Sequence, residues 1–96
     1  MLDTIRAKRE DIYAIARKHK AEKLWVFGSV ARKEETPTSD VDFLVKYSQG
    51  ASMFDDIRFE RELTTLLNRP VDMVSSAVLT REIRFANRIC NEVVPV

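Results

Sequence analysis

The chain has 96 residues, 45% of them hydrophobic and 32% charged, which excludes a disordered chain and fits one domain over residues 1–96 with a modest core. Sixteen basic against fifteen acidic residues leave a net charge of +1, excluding nucleic-acid binding by bulk charge and leaving only local patches to consider. A single cysteine, Cys90, excludes an internal disulfide framework and suits a reducing cytoplasm, and no apolar run approaches the ~18 residues of a membrane span or forms a signal-peptide centre.

Residues 2–20 read as a helix, with Leu2, Ile5, Ile12 and Ala16 on one face and Asp3 or Thr4 as its cap. Residues 23–27 read as a short buried strand ending at Gly28, and residues 29–34 as a short helix for which Ser29 is a good N-cap. Thr36-Pro37-Thr38-Ser39 signals a turn. Residues 40–46 alternate as a second strand: Val41, Phe43 and Val45 share one face, Asp40 and Asp42 the other. Ser52 and Asp55 form a capping-box pattern that opens a helix to about residue 67, with Phe59, Leu63, Leu66 and Leu67 as its apolar stripe. Asn68-Arg69-Pro70 stops it, and residues 71–75 read as a third strand. A last helix is expected over 79–92 with Leu79, Ile83, Ala86 and Cys90 inward, followed by an edge strand that tolerates Pro95. The class is α/β (α+β): a small mixed sheet of three to four strands packed with helices.

Aspartates on apolar strands carry the chemistry. Asp40 and Asp42 leave the same face, where like charges repel unless a cation lies between them. Asp-x-Asp alone fits a half-exposed strand facing water. Asp72, an isolated acid in the apolar run Val71-Asp72-Met73-Val74, shifts the balance: if the third strand pairs with the second, three carboxylates converge. Oxygen-only clusters suit Mg²⁺ or Mn²⁺ and can hold two ions about 4 Å apart for phosphoryl or nucleotidyl transfer. Gly28-Ser29 at a strand-to-helix junction offers backbone N–H groups to phosphate, although the dipeptide alone also describes an ordinary turn.

Leu24-Trp25-Val26-Phe27-Gly28-Ser29 followed by Ser39-Asp40-Val41-Asp42-Phe43, with the ten residues 30–39 between Gly-Ser and Asp-x-Asp, resembles the signature of the DNA polymerase β-type nucleotidyltransferase superfamily. Within it the chain is similar to the minimal nucleotidyltransferase (MNT) group, whose third-carboxylate strand Arg69-Pro70-Val71-Asp72-Met73-Val74 matches. The resemblance implies that Gly28 and Ser29 cradle the β- and γ-phosphates of ATP, with Arg32 and Ser39 as further nucleotide contacts. Arg32 is equally suited to a salt bridge fixing the loop. It also implies that Asp40 and Asp42 coordinate two Mg²⁺ ions (Mn²⁺ would serve), while Asp72 binds one and helps activate the attacking hydroxyl. Lys33 stands where many relatives have glycine. Such proteins resemble antitoxins that transfer AMP from ATP to a tyrosine of a HEPN toxin; no HEPN motif is present here, so that partner would be a separate chain.

Two rival functions remain: an antitoxin that neutralises its partner by binding alone, and nucleotidyl transfer to a small hydroxylated substrate. Balanced charge favours a protein acceptor over a nucleic acid, and a homodimer is compatible with the sequence. Arg81, Arg84 and Arg88 form a stripe beside Phe85, fitting either a solvated face or a protein contact. Phe54 and Ile57 lie off the stripe of their helix, facing the nucleotide site, a partner or the core. Seven basic residues in the first 23 are accompanied by four acidic ones, as on a solvated helix. His19 is expected to be packed or partly exposed, Cys90 to lie in the core and Trp25 to pack on the sheet.

Overall fold

A computed structural model describes residues 1–36, 38–76 and 93–96. The predicted helix over 79–92, with Cys90 and the Arg81/Arg84/Arg88 stripe, and Pro37 of the predicted turn, lie outside the described residues. The order is α1 (Leu2–Ala7), α2 (Arg9–Lys18), β1 (Ala21–Phe27), α3 (Gly28–Ala31), β2 (Val41–Tyr47), α4 (Met53–Leu67), β3 (Val71–Ser75) and β4 (Val94–Pro95). The strands form one mixed sheet in the order β3-β2-β1-β4. β1 and β2 are antiparallel, β4 pairs antiparallel with β1, and β3 is parallel to β2, as the intervening α4 crossover requires.

The core lies on one face. Leu24 and Val26 of β1 oppose Val45 and Phe43 of β2, and Val41 opposes Val71 of β3. Against them pack Leu2 and Ile5 of α1, Ile12 and Ala16 of α2, and Phe59, Leu63 and Leu67 of α4, all buried. The apolar stripes expected over residues 2–20 and in the helix opened by Ser52 are therefore core faces, except that Leu66 is only partly buried. Leu44 is also buried, but on the opposite face, in register with Trp25 and Val74.

Three local expectations are corrected. The helix over 2–20 is interrupted at Lys8, whose φ and ψ of −101° and 15° leave the helical region. The Lys8 ammonium donates 3.0 Å to the Leu66 carbonyl, so a basic side chain caps the C-terminal turn of α4. Met1 occupies the N-cap, where neither Asp3 nor Thr4 sits. β1 starts at Ala21, earlier than residue 23, because a bulge between Ala21 and Lys23 keeps Ala21 paired with Tyr47. The capping box of α4 forms as expected: the Ser52 hydroxyl accepts from the Asp55 amide and the Asp55 carboxylate accepts from the Ser52 amide. Asn68 ends α4 in the left-handed conformation, at φ 54°.

His19 is buried. It contacts Glu62 through Nε2 and lies 6.2 Å, centroid to centroid, from the Phe59 ring. The edge strand holds through Val96, whose amide donates to the Leu24 carbonyl and whose carbonyl accepts from the Tyr13 hydroxyl. Among the described residues no helix is long and apolar enough to cross a membrane.

Candidate active site

The predicted site residues gather at one end of the sheet. β1 runs toward that end and stops at Phe27; β2 and β3 start there, at Val41 and Val71. Asp42 stands in register between Phe27 and Asp72, so the two carboxylates leave the same face, opposite the core face of Val41, Phe43 and Val45. Asp40, exposed and just before β2, shares that direction. Alternation therefore puts the core on one side of β2 and its acids on the other.

Asp42 is partly buried, and its carboxyl is raised above the usual carboxylate range. Burial is the main cause, followed by the charges of Asp72 and Asp40; Arg32 opposes them. The charges of Asp72 and Asp40 thus both reach Asp42. Among the described residues no three acidic, histidine or cysteine side chains form a ready-made metal cage. A hard cation that keeps water ligands and shares substrate phosphates needs only one or two protein carboxylates, so the oxygen-only pair Asp42 and Asp72, with Asp40 beside it, fits Mg²⁺ or Mn²⁺.

Gly28 shapes the other wall. Its φ of 73° is a conformation that side chains disfavour, and a Cβ there would overlap Asp42 Oδ2. Glycine is therefore required both by the backbone and by the Asp42 carboxylate lying against it. The helix that follows is a single turn. The sequence marks Ser29 as its N-cap, but Phe27 holds that position with extended backbone, and Ser29 lies within the turn. The Ser29 carbonyl accepts from the Glu34 amide at 2.8 Å, folding the loop back on itself. Lys33 has a φ of 59°, in the left-handed region that favours glycine.

Arg32 and Ser39 have positions less direct than expected. Arg32 Nε donates to Glu34 Oε2 at 3.0 Å in an exposed pair, while its charge still reaches Asp42. The Ser39 hydroxyl accepts from the Thr36 amide at 2.8 Å and bonds the Thr36 hydroxyl, closing the loop that leads into Asp40.

Sequence reasoning missed Arg69 and Glu60. Arg69 Nη2 donates 2.8 Å to the Thr36 carbonyl and 2.6 Å to the Ser39 carbonyl, and the Pro70 carbonyl accepts from the Val41 amide. The residues before β3 thus fasten the loop before β2, holding Asp40 and Asp72 in one frame. An arginine two residues before the start of a strand gave no signal by itself. Arg69→Leu is expected to keep the fold, lower stability by about 1–3 kcal/mol through two lost charge-assisted bonds, and speed amide hydrogen exchange around residues 36–41. Unchanged exchange there would show that the loop holds without Arg69. Glu60, one turn beyond Asp56 on α4, is raised by burial first, then by Asp56 and Asp72. Its spacing from Asp56 was visible in the sequence; its approach to Asp72 required the crossover.

A glycine forced against a strand-borne aspartate, with a second aspartate in register beside it, belongs to a nucleotidyltransferase, and the sheet is the nucleotidyltransferase fold. The chain belongs to the family described as "Polymerase beta, Nucleotidyltransferase", whose family model matches residues 10–95. It is 35% identical over 88 residues to the "Putative protein adenylyltransferase MJ0435" of Methanocaldococcus jannaschii, covering 92% of each chain. It is 36% identical to the protein adenylyltransferase MntA of Thermococcus cleftensis, covering 91% of this chain and 94% of that one. Among solved structures it matches one described as a "putative minimal nucleotidyltransferase" with a TM-score of 0.84 and 37% identity, covering 99% of this chain and 95% of that chain. It also matches a chain from a complex of tri-AMPylated Shewanella oneidensis HEPN toxin with MNT antitoxin, at a TM-score of 0.66, 94% and 69% coverage and 15% identity, which is a likeness of fold alone.

Proposed function

We propose that this protein is a metal-dependent adenylyltransferase that moves AMP from ATP to a tyrosine hydroxyl of a HEPN-type toxin and so neutralises it as an antitoxin. The observation that carries the reading is the Asp42 carboxylate, set against Gly28 and in register with Asp72. Gly28 and Ser29 receive the β- and γ-phosphates, since the absence of a Cβ at residue 28 leaves the backbone open to close approach. Asp40, Asp42 and Asp72 would hold the two Mg²⁺ ions, and such ions, when bound, would supply Lewis-acid stabilisation of the charge that develops during nucleotidyl transfer. The tyrosine oxygen forms the new bond to the α-phosphorus, the bond between that phosphorus and the α–β bridging oxygen breaks, and pyrophosphate leaves. Asp72, the exposed member of the in-register pair, assists removal of the hydroxyl proton. Arg32 and Ser39 keep the phosphate loop in shape through Glu34 and Thr36. The names of the relatives support protein as the acceptor, and the HEPN complex supports the kind of partner. ATP and a lone cysteine fit a cytoplasmic setting.

The test is incubation with ATP, Mg²⁺ and a HEPN protein encoded beside it, read by intact mass and peptide mapping. The expected result is an AMP adduct on a tyrosine of the HEPN protein. Asp40→Asn with Asp42→Asn is expected to slow transfer at least about 10³-fold, on the order of 4 kcal/mol of transition-state stabilisation. Transfer at the original rate by that variant would place the chemistry elsewhere. Neutralisation that survives in it without transfer would favour action by contact.

A further inference from the structure

We propose that Arg69 is a positioning residue for nucleotidyl transfer: with the Pro70 carbonyl it fixes the backbone on both sides of Asp40, and so sets where that carboxylate stands relative to Asp42 and Asp72. The proposal rests on the reading of Asp40 as a metal ligand, and it gives the Arg69 bonds a role in the reaction beyond their contribution to stability.

Asp42 and Asp72 are placed by the sheet. Asp42 stands in register with Phe27 on one side and with Asp72 on the other. Asp40 lacks that support. It precedes β2, whose pairing with β3 begins at Val41, and it is exposed, so neither ladder nor packing holds it. Its position depends on the two peptide groups beside it. The carbonyl of the first, that of Ser39, accepts from Arg69 Nη2 at 2.6 Å. The amide of the second, that of Val41, donates to the Pro70 carbonyl at 2.9 Å. Arg69 and Pro70 are consecutive, and Asp72 follows two residues after Pro70. One short segment therefore grips Asp40 from both sides and carries the third carboxylate.

The grip uses what is particular to arginine. Nη2 carries two hydrogens and uses both, one toward Ser39 and one toward the Thr36 carbonyl at 2.8 Å. The Thr36 amide in turn donates to the Ser39 hydroxyl, so the guanidinium closes a loop already folded on itself. Two bonds from one planar group fix its orientation as well as its position. That orientation leaves Arg69 Nε buried without a hydrogen-bond partner among the described residues. An unpaired buried donor opposes stability, so stability alone is a poor account of the arrangement, whereas orienting a ligand-bearing backbone is a sufficient one. Charge and position also predict opposite signs. By charge alone, taking a cation away from this end of the sheet strengthens the binding of another cation at the carboxylates or leaves it unchanged. By position, the same change weakens it, because Asp40 loses its fixed place.

The test measures Mn²⁺ binding by electron paramagnetic resonance, on the full chain saturated with α,β-methylene-ATP, which cannot be cleaved at the transfer position, and at a temperature where every variant is folded. Arg69→Leu is expected to bind Mn²⁺ about tenfold more weakly than the wild type, the scale for losing an outer partner of a metal ligand. Arg69→Lys keeps the charge and a donor but not the planar fork, and its binding is expected to fall between the two. Ile12→Val, a core change on α2 that also lowers stability, is the control and is expected to bind Mn²⁺ as the wild type does. Transfer to a HEPN protein by Arg69→Leu is expected to need about tenfold more Mg²⁺ for its half-maximal rate, with KM for the acceptor unchanged. Mn²⁺ binding by Arg69→Leu equal to or tighter than that of the wild type would overturn the proposal, as would an equal weakening in Ile12→Val. Should Arg69→Leu not fold, Arg69→Lys decides: wild-type Mn²⁺ binding by it overturns the proposal, and weaker binding supports it. If Arg69→Leu weakens Mn²⁺ binding but the wild type adenylylates no protein, the acceptor reading fails and the positioning role stands. If the wild type adenylylates a HEPN protein and Arg69→Leu binds Mn²⁺ normally, the positioning role fails and the enzyme reading stands.

Discussion

Gly28→Ala is expected to reduce AMP transfer at least about 100-fold and to cost about 1–3 kcal/mol of stability, from the left-handed backbone and the overlap together. The new methyl would be built where φ is 73°, and it would overlap Asp42 Oδ2 while lying 3.3 Å from Asp42 Cγ. The overlap can be relieved by turning the Asp42 carboxylate away or by shifting the end of β1, and either change moves that carboxylate relative to Gly28 and Asp72. Gly50 provides the control. Its φ is 93°, but a Cβ there meets nothing within 4 Å. Gly50→Ala should therefore lose about 1 kcal/mol to backbone strain alone and keep transfer intact. Thermal melts and transfer rates for the pair separate conformational strain from damage to the site. Full activity in Gly28→Ala would mean that the Asp42 carboxylate is not held against residue 28.

The strands, the capping box and the carboxylate cluster were legible because each rests on local period or spacing. Asp40 and Asp42 follow from alternation along β2, and Asp72 from an acid that breaks an apolar run. Their convergence needed one further fact, the parallel pairing of β3 with β2, which the α4 crossover imposes. What sequence could not show was set by tertiary contact. Lys8 looks like an ordinary helix position until its ammonium meets the end of α4. Ser29 has the right chemistry for a cap, yet the positive φ of Gly28 starts the turn one residue earlier. Nothing local marks Lys33 as left-handed; its backbone at φ 59° is a property of the fold. Arg69 and Glu60 lie far from Asp40 and Asp42 along the chain, and only the folded sheet brings them to the site's edge.

Asp42→Asn is expected to make the protein more stable in the absence of divalent cations while abolishing transfer. The wild-type carboxyl is raised by burial and by Asp72 and Asp40, so the folded state resists its ionisation. An acid whose pKa is raised on folding penalises the native state at pH values above that raised pKa, and the penalty disappears as pH falls through it toward the ordinary carboxylate range. Replacing the carboxylate with an amide removes the penalty at neutral pH. In EDTA the variant should melt roughly 2–6 °C higher, the scale expected for a chain of this size. The stability difference between variant and wild type should shrink as pH falls, which isolates Asp42 from the lowered carboxyls of Glu35, Asp55 and Glu62, whose contributions weaken in the same direction in both proteins. Added Mg²⁺ should then reverse the ranking, because a cation bound to the folded wild-type site stabilises it by mass action and the variant has lost a ligand. A variant that is less stable in EDTA, or that gains as much from Mg²⁺ as the wild type, would remove Asp42 from the metal site. The reversal itself would show that the cost at this end of the sheet comes from a carboxylate buried beside like charges, and that the same residue is one through which a bound metal stabilises the fold.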